Sequence, residues 1–308
     1  MNSSLFGLVE RFLIYFHFIS IKVYALFFKQ RTVTLENKIK LIAPANNRLD
    51  FYLKIHPLYD RRLPVLSRLV YEEEPHSEFI DVGANIGDTV ALLRLAGCDL
   101  KIVAIEASEK YFSYLKLNSE KDSSVFKNVE LVNAFVGRET DNLSLVENNA
   151  TAGTVISEKT NKSVDVPTIP LSKFESRNVS LIKLDTDGYD AVILSSNLDY
   201  IIQKQPIIFA EAEVNSEFSL NEWTKFLNTI PDDVFEKVIV FDNFGFAVCA
   251  GDFQKLKSFI LDLLPYVHQQ HKTKKPTIYY FDICFFPKSK NKIYTKFIKE
   301  IPELSQLK

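Results

Sequence analysis

The sequence predicts an α/β fold, a Rossmann-like and mostly parallel sheet with helices on both faces. Three stretches predict it. Glu78-Phe79-Ile80-Asp81-Val82 is a short apolar strand, Gly83-Ala84-Asn85-Ile86-Gly87 a glycine-containing turn, and residues 90–96 a helix that ends at Gly97. A second apolar run, Ile102-Val103-Ala104-Ile105, follows that helix and stops at Glu106. Further on, Leu181-Ile182-Lys183-Leu184 runs into Asp185, then Thr186-Asp187-Gly188, then the helical Ala191-Val192-Ile193-Leu194. Buried strands alternating with helical patterns read as βαβ units of a parallel sheet.

The first unit is built for a nucleotide. Gly83 can take backbone angles that a side chain forbids, so a ligand can lie against the turn. Glu106, at the carboxyl end of the second strand, is placed to accept both hydroxyls of a ribose. A dinucleotide fingerprint wants three glycines to seat a pyrophosphate at the helix start. Only Gly83 and Gly87 are present, and the turn opens with Asp81. A carboxylate there repels a pyrophosphate but attracts the sulfonium and amino groups of S-adenosylmethionine, which favours that donor over NAD. The plainer alternative is that Gly83 only makes the turn and Asn85 caps the helix.

Composition sets the frame. The chain has 308 residues, enough for one large α/β domain with additions or two small domains. Hydrophobic residues make up 46% and charged ones 25%, an ordinary globular balance that argues against disorder. The formal net charge of -2 gives no pointer to nucleic acid. Cys98, Cys249 and Cys284 are widely spaced in apolar context, which fits reduced core residues of a cytoplasmic protein. No pair of them has metal-site spacing, and no metal is predicted.

Residues 1–31 are expected to form a hydrophobic helix. Between Leu5 and Phe28 apolar residues dominate, but Glu10, Arg11, His17 and Lys22 interrupt them. The uncharged runs are too short for a spanning helix, which needs roughly 20 apolar residues. Nor is there a basic start or a small-residue cleavage site. Two readings follow: a helix packed on the domain or on a second copy in a homodimer, or one lying on the inner face of a membrane, flanked by Lys29 and Arg31. Residues 32–77 lead into the core. Val33-Thr34-Leu35 and Lys38-Ile39-Lys40-Leu41-Ile42 predict a hairpin, and residues 65–73 a helix. The segment before that helix, His56 to Pro64, suggests a lip over the pocket.

Residues 78–287 form the main domain. After Glu106, Ser108 is the expected N-cap of a helix through Tyr111, Phe112 and Leu115. Residues 129–136 read as a third buried strand, and residues 143–146 and 164–169 as two more. The polar loop at 147–154 between those two is a candidate for substrate contacts. Asp185 and Asp187 should share a crevice with Gly83 and Glu106, because ligands bind outside the carboxyl ends of parallel strands. Both are acceptors for a charged donor group or for a proton, although Asp187 could instead cap the next helix. Residues 206–213 form a further strand ending in Glu211 and Glu213, which share a face by the period of two. Glu211 is a candidate for the substrate side. A helix at 219–229, a strand at 234–241, a turn at 242–245, a helix at 253–264 and a last strand at 278–286 follow. The lysine-rich residues 288–308 read as a solvated helix face.

The motifs Asp81-Val82-Gly83-Ala84-Asn85-Ile86-Gly87-Asp88-Thr89 and Lys183-Leu184-Asp185-Thr186-Asp187-Gly188-Tyr189-Asp190, followed by Glu211, resemble the FkbM family of S-adenosylmethionine-dependent methyltransferases. His56-Pro57-Leu58-Tyr59-Asp60-Arg61-Arg62-Leu63-Pro64 and Phe241-Asp242-Asn243-Phe244-Gly245 join the resemblance, which spans roughly residues 50–287. It implies a class I methyltransferase sheet of seven strands, mostly parallel with an antiparallel last strand. It also implies O-methylation of a hydroxyl, on a sugar, a polyketide or a related cell-surface precursor. The family more usually carries Glu where this chain has Asp187, so the carboxylate sits about a methylene further back.

The expected cofactor set is Asp81, Gly83, Asn85, Glu106, Asn133 and Asp185. The amino-acid end of the donor lies by Asp81 and the Gly83 turn, the ribose on Glu106 and the adenine by Asn133-Ala134. Asp185, Asp187 and Glu211 are the expected catalytic acids, with His56 as an outside candidate for the base. The acceptor is a small molecule or glycan. Two other readings stay open: an NAD-dependent sugar oxidoreductase, and a non-catalytic module of a glycan-assembly complex.

Overall fold

The computed structural model describes residue 16, residues 18–137, 166–273 and 276–305, and the backbone of two strands between 143 and 156. Residues 18–27 are helical and lead into a hairpin of β1 (Gln30–Leu35) and β2 (Ile39–Pro44). Val33, Leu35, Ile39, Leu41 and Ala43 point inward on that hairpin, the period-two pattern of a half-buried pair. The Asn118 side chain ties it to the helix Glu109–Lys121, accepting from the Ile42 N–H at 2.7 Å and donating to the Ile42 carbonyl at 2.9 Å.

The chain then lays down β3 (Glu78–Val82), β4 (Lys101–Glu106), β5 (Val129–Asn133), β6 (Phe135–Val136), β7 (Leu143–Glu147), β8 (Ala152–Ile156), β9 (Thr168–Ile169), β10 (Val179–Leu184), β11 (Ile207–Glu213), β12 (Lys237–Asp242), β13 (Ala247–Asp252) and β14 (Tyr280–Phe286). Eight of these form the main sheet in the order β13-β12-β14-β11-β10-β3-β4-β5. The run from β11 to β5 is parallel, and β14 inserts antiparallel between β11 and β12. All six residues of β10 are buried, as expected of a central strand covered on both faces. One face packs under helices that include Asp190–Ser196, Glu217–Thr229 and Phe253–His271. The other packs under Arg62–Glu73, Asp88–Leu95, Glu109–Lys121 and Asn291–Lys299.

The class I arrangement expected from the sequence is present, with one strand more than the seven expected. β13 adds an antiparallel edge, and its Ala247-Val248-Cys249-Ala250-Gly251 lacks the alternation that marks a strand. The strand expected over 129–136 breaks at Ala134, where β6 leaves the sheet to pair with β9. β7 and β8 make a hairpin of their own. Residues 148–151 of the loop expected to touch substrate lie outside the described residues, as do 164 and 165. β12 begins at Lys237, three residues later than expected, and the helix after β13 runs on to His271 through Pro265. The lysine-rich tail is not simply solvated. Ile293 and Phe297 are buried, and Lys292 and Lys296 each reach Glu73 at 2.5 Å.

Candidate active site

A cavity of about 330 Å³ opens at the carboxyl edge of the parallel strands, at the size expected of a small-molecule site. Gly83, Glu106, Asp185, Asp187 and Glu211 all line it, as does Asn85. The lip predicted before the helix Arg62–Glu73 closes one side with Tyr59, Asp60 and Leu63. Its position is fixed from below. Gly245 has φ +86°, and a Cβ there would lie 2.3 Å from the Leu58 carbonyl oxygen. Arg62 donates from Nε to the Gly245 carbonyl at 2.7 Å and pairs with Glu303 at 2.6 Å. The two outlying motifs of the sequence, 56–64 and 241–245, are therefore in contact.

Gly83 has the backbone angle expected of it and lines the cavity, and it has a second part. It has φ +84°, and a Cβ there would lie 1.9 Å from the Asp185 carbonyl oxygen. The missing side chain lets the tips of β3 and β10 touch. The Gly83 and Ala84 N–H groups donate to Ile105, and Asp185 N–H donates to Val82, knitting three strand ends together. Asn85, at φ +48°, does not cap the helix; Gly87 occupies the N-cap position. Asn85 instead donates its backbone N–H to Glu106 Oε2 at 2.8 Å, and Ser108 donates its own to Oε1 at 2.8 Å. Burial pushes the Glu106 carboxyl up to about 7, against the pull of those two donors. Each of its oxygens keeps a lone pair free for a ligand hydroxyl.

Asp81 and Asn133 do not line the cavity. Asp81 is wholly buried, 3.3 Å from Lys183 Nζ, and burial raises its pKa in opposition to that lysine. Period two explains this placement: Asp81 shares the face of Phe79, beneath the helices and below the strand tip. Asn133 donates to the carbonyls of Glu106 (2.8 Å) and Ala107 (3.3 Å), fixing the turn that carries Glu106. Ala134 and Phe135 line the cavity in its place.

Lys183 lies within a motif but was given no role by the sequence; it is the hub of the site. Nζ is 3.0 Å from Asp185 Oδ2, 3.3 Å from Asp81 Oδ1, and donates to the Gly83 carbonyl at 3.3 Å. Burial alone would lower its pKa, but Asp185, Asp81 and Asp88 outweigh burial and raise it well above the ordinary lysine value. Asp187, at φ +50°, has its carboxyl pushed up to about 8 by burial, with Asp185 and Glu213 adding repulsion. It does not cap the following helix, whose N-cap is Tyr189.

At the far end Glu211 faces Asp282 directly across the β11–β14 pair, and both line the cavity beside Tyr280. Like charges so placed are unfavourable, and burial together with neighbouring acids raises both carboxyls well above the usual range. Asp282 and Tyr280 escaped the sequence reading, which placed Tyr59 and Asp60 in the lip without giving either a role of its own. A lone acid inside Tyr280-Phe281-Asp282-Ile283-Cys284 was the available signal. His56 is not on the cavity wall; its ring lies 4.6 Å from that of Phe244, and burial lowers its pKa. Among the described residues no group of three or more acids, histidines or cysteines is arranged to hold a metal ion.

Comparison with known proteins follows the same line. The sequence profile described as Methyltransferase FkbM domain matches residues 81–244. No curated protein matches the chain. Similar solved structures include an O-methyltransferase from Bacillus cereus in complex with SAH, at 13% identity over 76% of this chain and 88% of that one, TM-score 0.38. Another is the precorrin-6y C5,15-methyltransferase of Geobacter metallireducens GS-15, at 13% identity over 74% and 86%, TM-score 0.35. The delta-N METTL16 MTase domain aligns at 9% identity over 82% and 90%, TM-score 0.42. With the profile matched across both glycine-containing motifs and over half of its length, the chain belongs to the FkbM methyltransferase family.

Proposed function

We propose that this protein is an S-adenosylmethionine-dependent O-methyltransferase whose acceptor is a hydroxyl of a sugar, a glycan or a related cell-surface precursor. The observation that carries the reading is one cavity, at the carboxyl edge of a methyltransferase sheet, in which Glu106 and the acids Asp185, Asp187 and Glu211 converge. The residues present fit the donor. Glu106 has acceptor capacity left for a ribose, Ala134 and Phe135 offer an apolar wall for an adenine, and the surrounding carboxylates suit a cationic sulfur.

Bound S-adenosylmethionine supplies an intrinsically reactive methyl group, so alignment and exclusion of water do much of the work. The lip closes one side of the cavity. Tyr59, Tyr280 and the Glu211–Asp282 pair are positioned to orient a polyhydroxyl acceptor by hydrogen bonds. A hydroxyl needs somewhere to send its proton, and a positioned base contributes about 10²–10⁴-fold. Asp187 suits that task in its ionised form, which a cationic donor favours: a carboxylate whose value burial raises to about 8 is, once ionised, a stronger base than an ordinary one. Asp185 is held by Lys183 at 3.0 Å and serves as the orienting acid.

Asp187→Asn should lower kcat by about 10²-fold or more while leaving donor affinity within a few-fold. Full turnover in that variant would remove Asp187 as the base. The acceptor class is tested by transfer of labelled methyl groups to fractionated glycan precursors, with the product examined for a methyl ether. Methyl transfer to nitrogen, or donor binding without transfer to any fraction, would contradict the hydroxyl-directed reading.

A further inference from the structure

The helix over residues 18–27 has two apolar stripes. Phe18, Ile21 and Ala25 recur at i, i+3 and i+7; Ile21 is buried, and the Phe18 ring lies 6.2 Å from that of Phe51. Ile19, Val23, Leu26 and Phe27 recur at i, i+4, i+7 and i+8 on the other side and face solvent. Leu26 is 80% exposed and Phe27 76%. An apolar stripe turned outward beside one turned inward is not what folding of this domain alone requires.

Among the described residues, the charge near this helix that is left without an ion-pair partner is of one sign. Lys22 and Lys29 sit at exposed positions on and just after the helix, and Lys38 and Lys40 are exposed on the hairpin that it enters. Among the described residues none of these four has a carboxylate within ion-pair distance, whereas the nearby acids Asp50 and Glu36 are already paired with Arg31 and Arg61. Two copies meeting through this face would set lysines against lysines. An anionic surface would not. No helix among the described residues is long and apolar enough to cross a membrane.

We infer that this helix docks the protein on the surface of an anionic lipid bilayer, with Leu26, Phe27 and their stripe in the headgroup layer and the lysines on the lipid phosphates. The inward stripe of the same helix reaches toward the cavity: the Arg48 guanidinium lies 4.3 Å over the Phe18 ring, and Arg48 and Tyr52 line the cavity. The inference rests on the exposed helix, and stands whatever the cavity binds.

The test is co-sedimentation of the full chain with phosphatidylcholine vesicles, with and without phosphatidylglycerol. Binding to the anionic vesicles that falls with added salt is expected, with little to the neutral ones. Leu26→Ser with Phe27→Ser should weaken partitioning at least about tenfold, and Lys22→Ala with Lys29→Ala by a similar factor. These positions are exposed, so circular dichroism should be unchanged. No binding to anionic vesicles, or equal binding to neutral ones, would overturn the inference. So would self-association in light scattering that the Leu26 and Phe27 changes abolish while vesicle binding is absent.

Discussion

Lys183 holds together a group of acids that would otherwise repel one another. Asp81 is buried beneath it, and among the described residues Lys183 carries the one cation paired with it, so its ionised form depends on that ammonium. Removing one partner of a buried pair strands the other charge at about 3–5 kcal/mol. Lys183→Met should therefore lower unfolding free energy in urea by roughly that amount, and Lys183→Met with Asp81→Leu should recover part of it. A single variant as stable as the wild type would mean that Asp81 is protonated at rest. At this scale the sequence was legible only in part. Glu106, Asp185 and Asp187 sit at or just beyond strand ends, and Glu211 lies one residue past the last β10 partner on β11; the end of the parallel pairing fixes which residues reach the carboxyl edge. Asp81 and Asn133 lie on strands as well, yet one is turned below the tip and the other spends its side chain on backbone carbonyls. That choice depends on where the helices lie, which no local pattern reports.

Among the elements, the contact between the tips of β3 and β10 is the joint on which the cavity is built. Gly83→Ala would force a side chain at φ +84° into the Asp185 carbonyl. The expected loss exceeds about 2 kcal/mol of stability, measured by thermal unfolding, and donor affinity should fall with it. A variant with unchanged melting temperature would show that the two tips can part at little cost. β3, β4 and β10 were readable because each is a near-continuous apolar run closed by an acid or a turn. β13 was not, since an edge strand of mostly small residues, with Val248 its one β-branched side chain, carries no alternation to mark it. The hairpin of β1 and β2 announced itself by alternation, and the structure shows why: only one of its faces is covered.

Over the whole molecule, carboxyls whose pKa values are raised gather at the cavity and in the protein just around it. Glu106 and Glu213 stand at about 7 and Asp187 and Asp190 at about 8, burial being the largest cause in each. A carboxyl with a raised value binds its proton more tightly folded than unfolded. Between about pH 4 and pH 8 the native state therefore holds more protons, and stability falls as pH rises through that window. The melting temperature should be lower at pH 8.5 than at pH 6, and Asp187→Asn should shrink the difference. A melting temperature that climbs over that range would contradict the electrostatics described here. Repulsion among these acids adds to burial, and that part is what a cationic donor relieves on binding.

The central claim, that these strand tips form the seat of S-adenosylmethionine, is tested most directly by titration calorimetry of the purified protein with that donor. The account predicts saturable binding, no heat with NAD, and at least about a tenfold loss of affinity in Glu106→Ala, with the fold intact by circular dichroism. Absence of binding to the wild type, or an affinity that Glu106→Ala leaves unchanged, would contradict it.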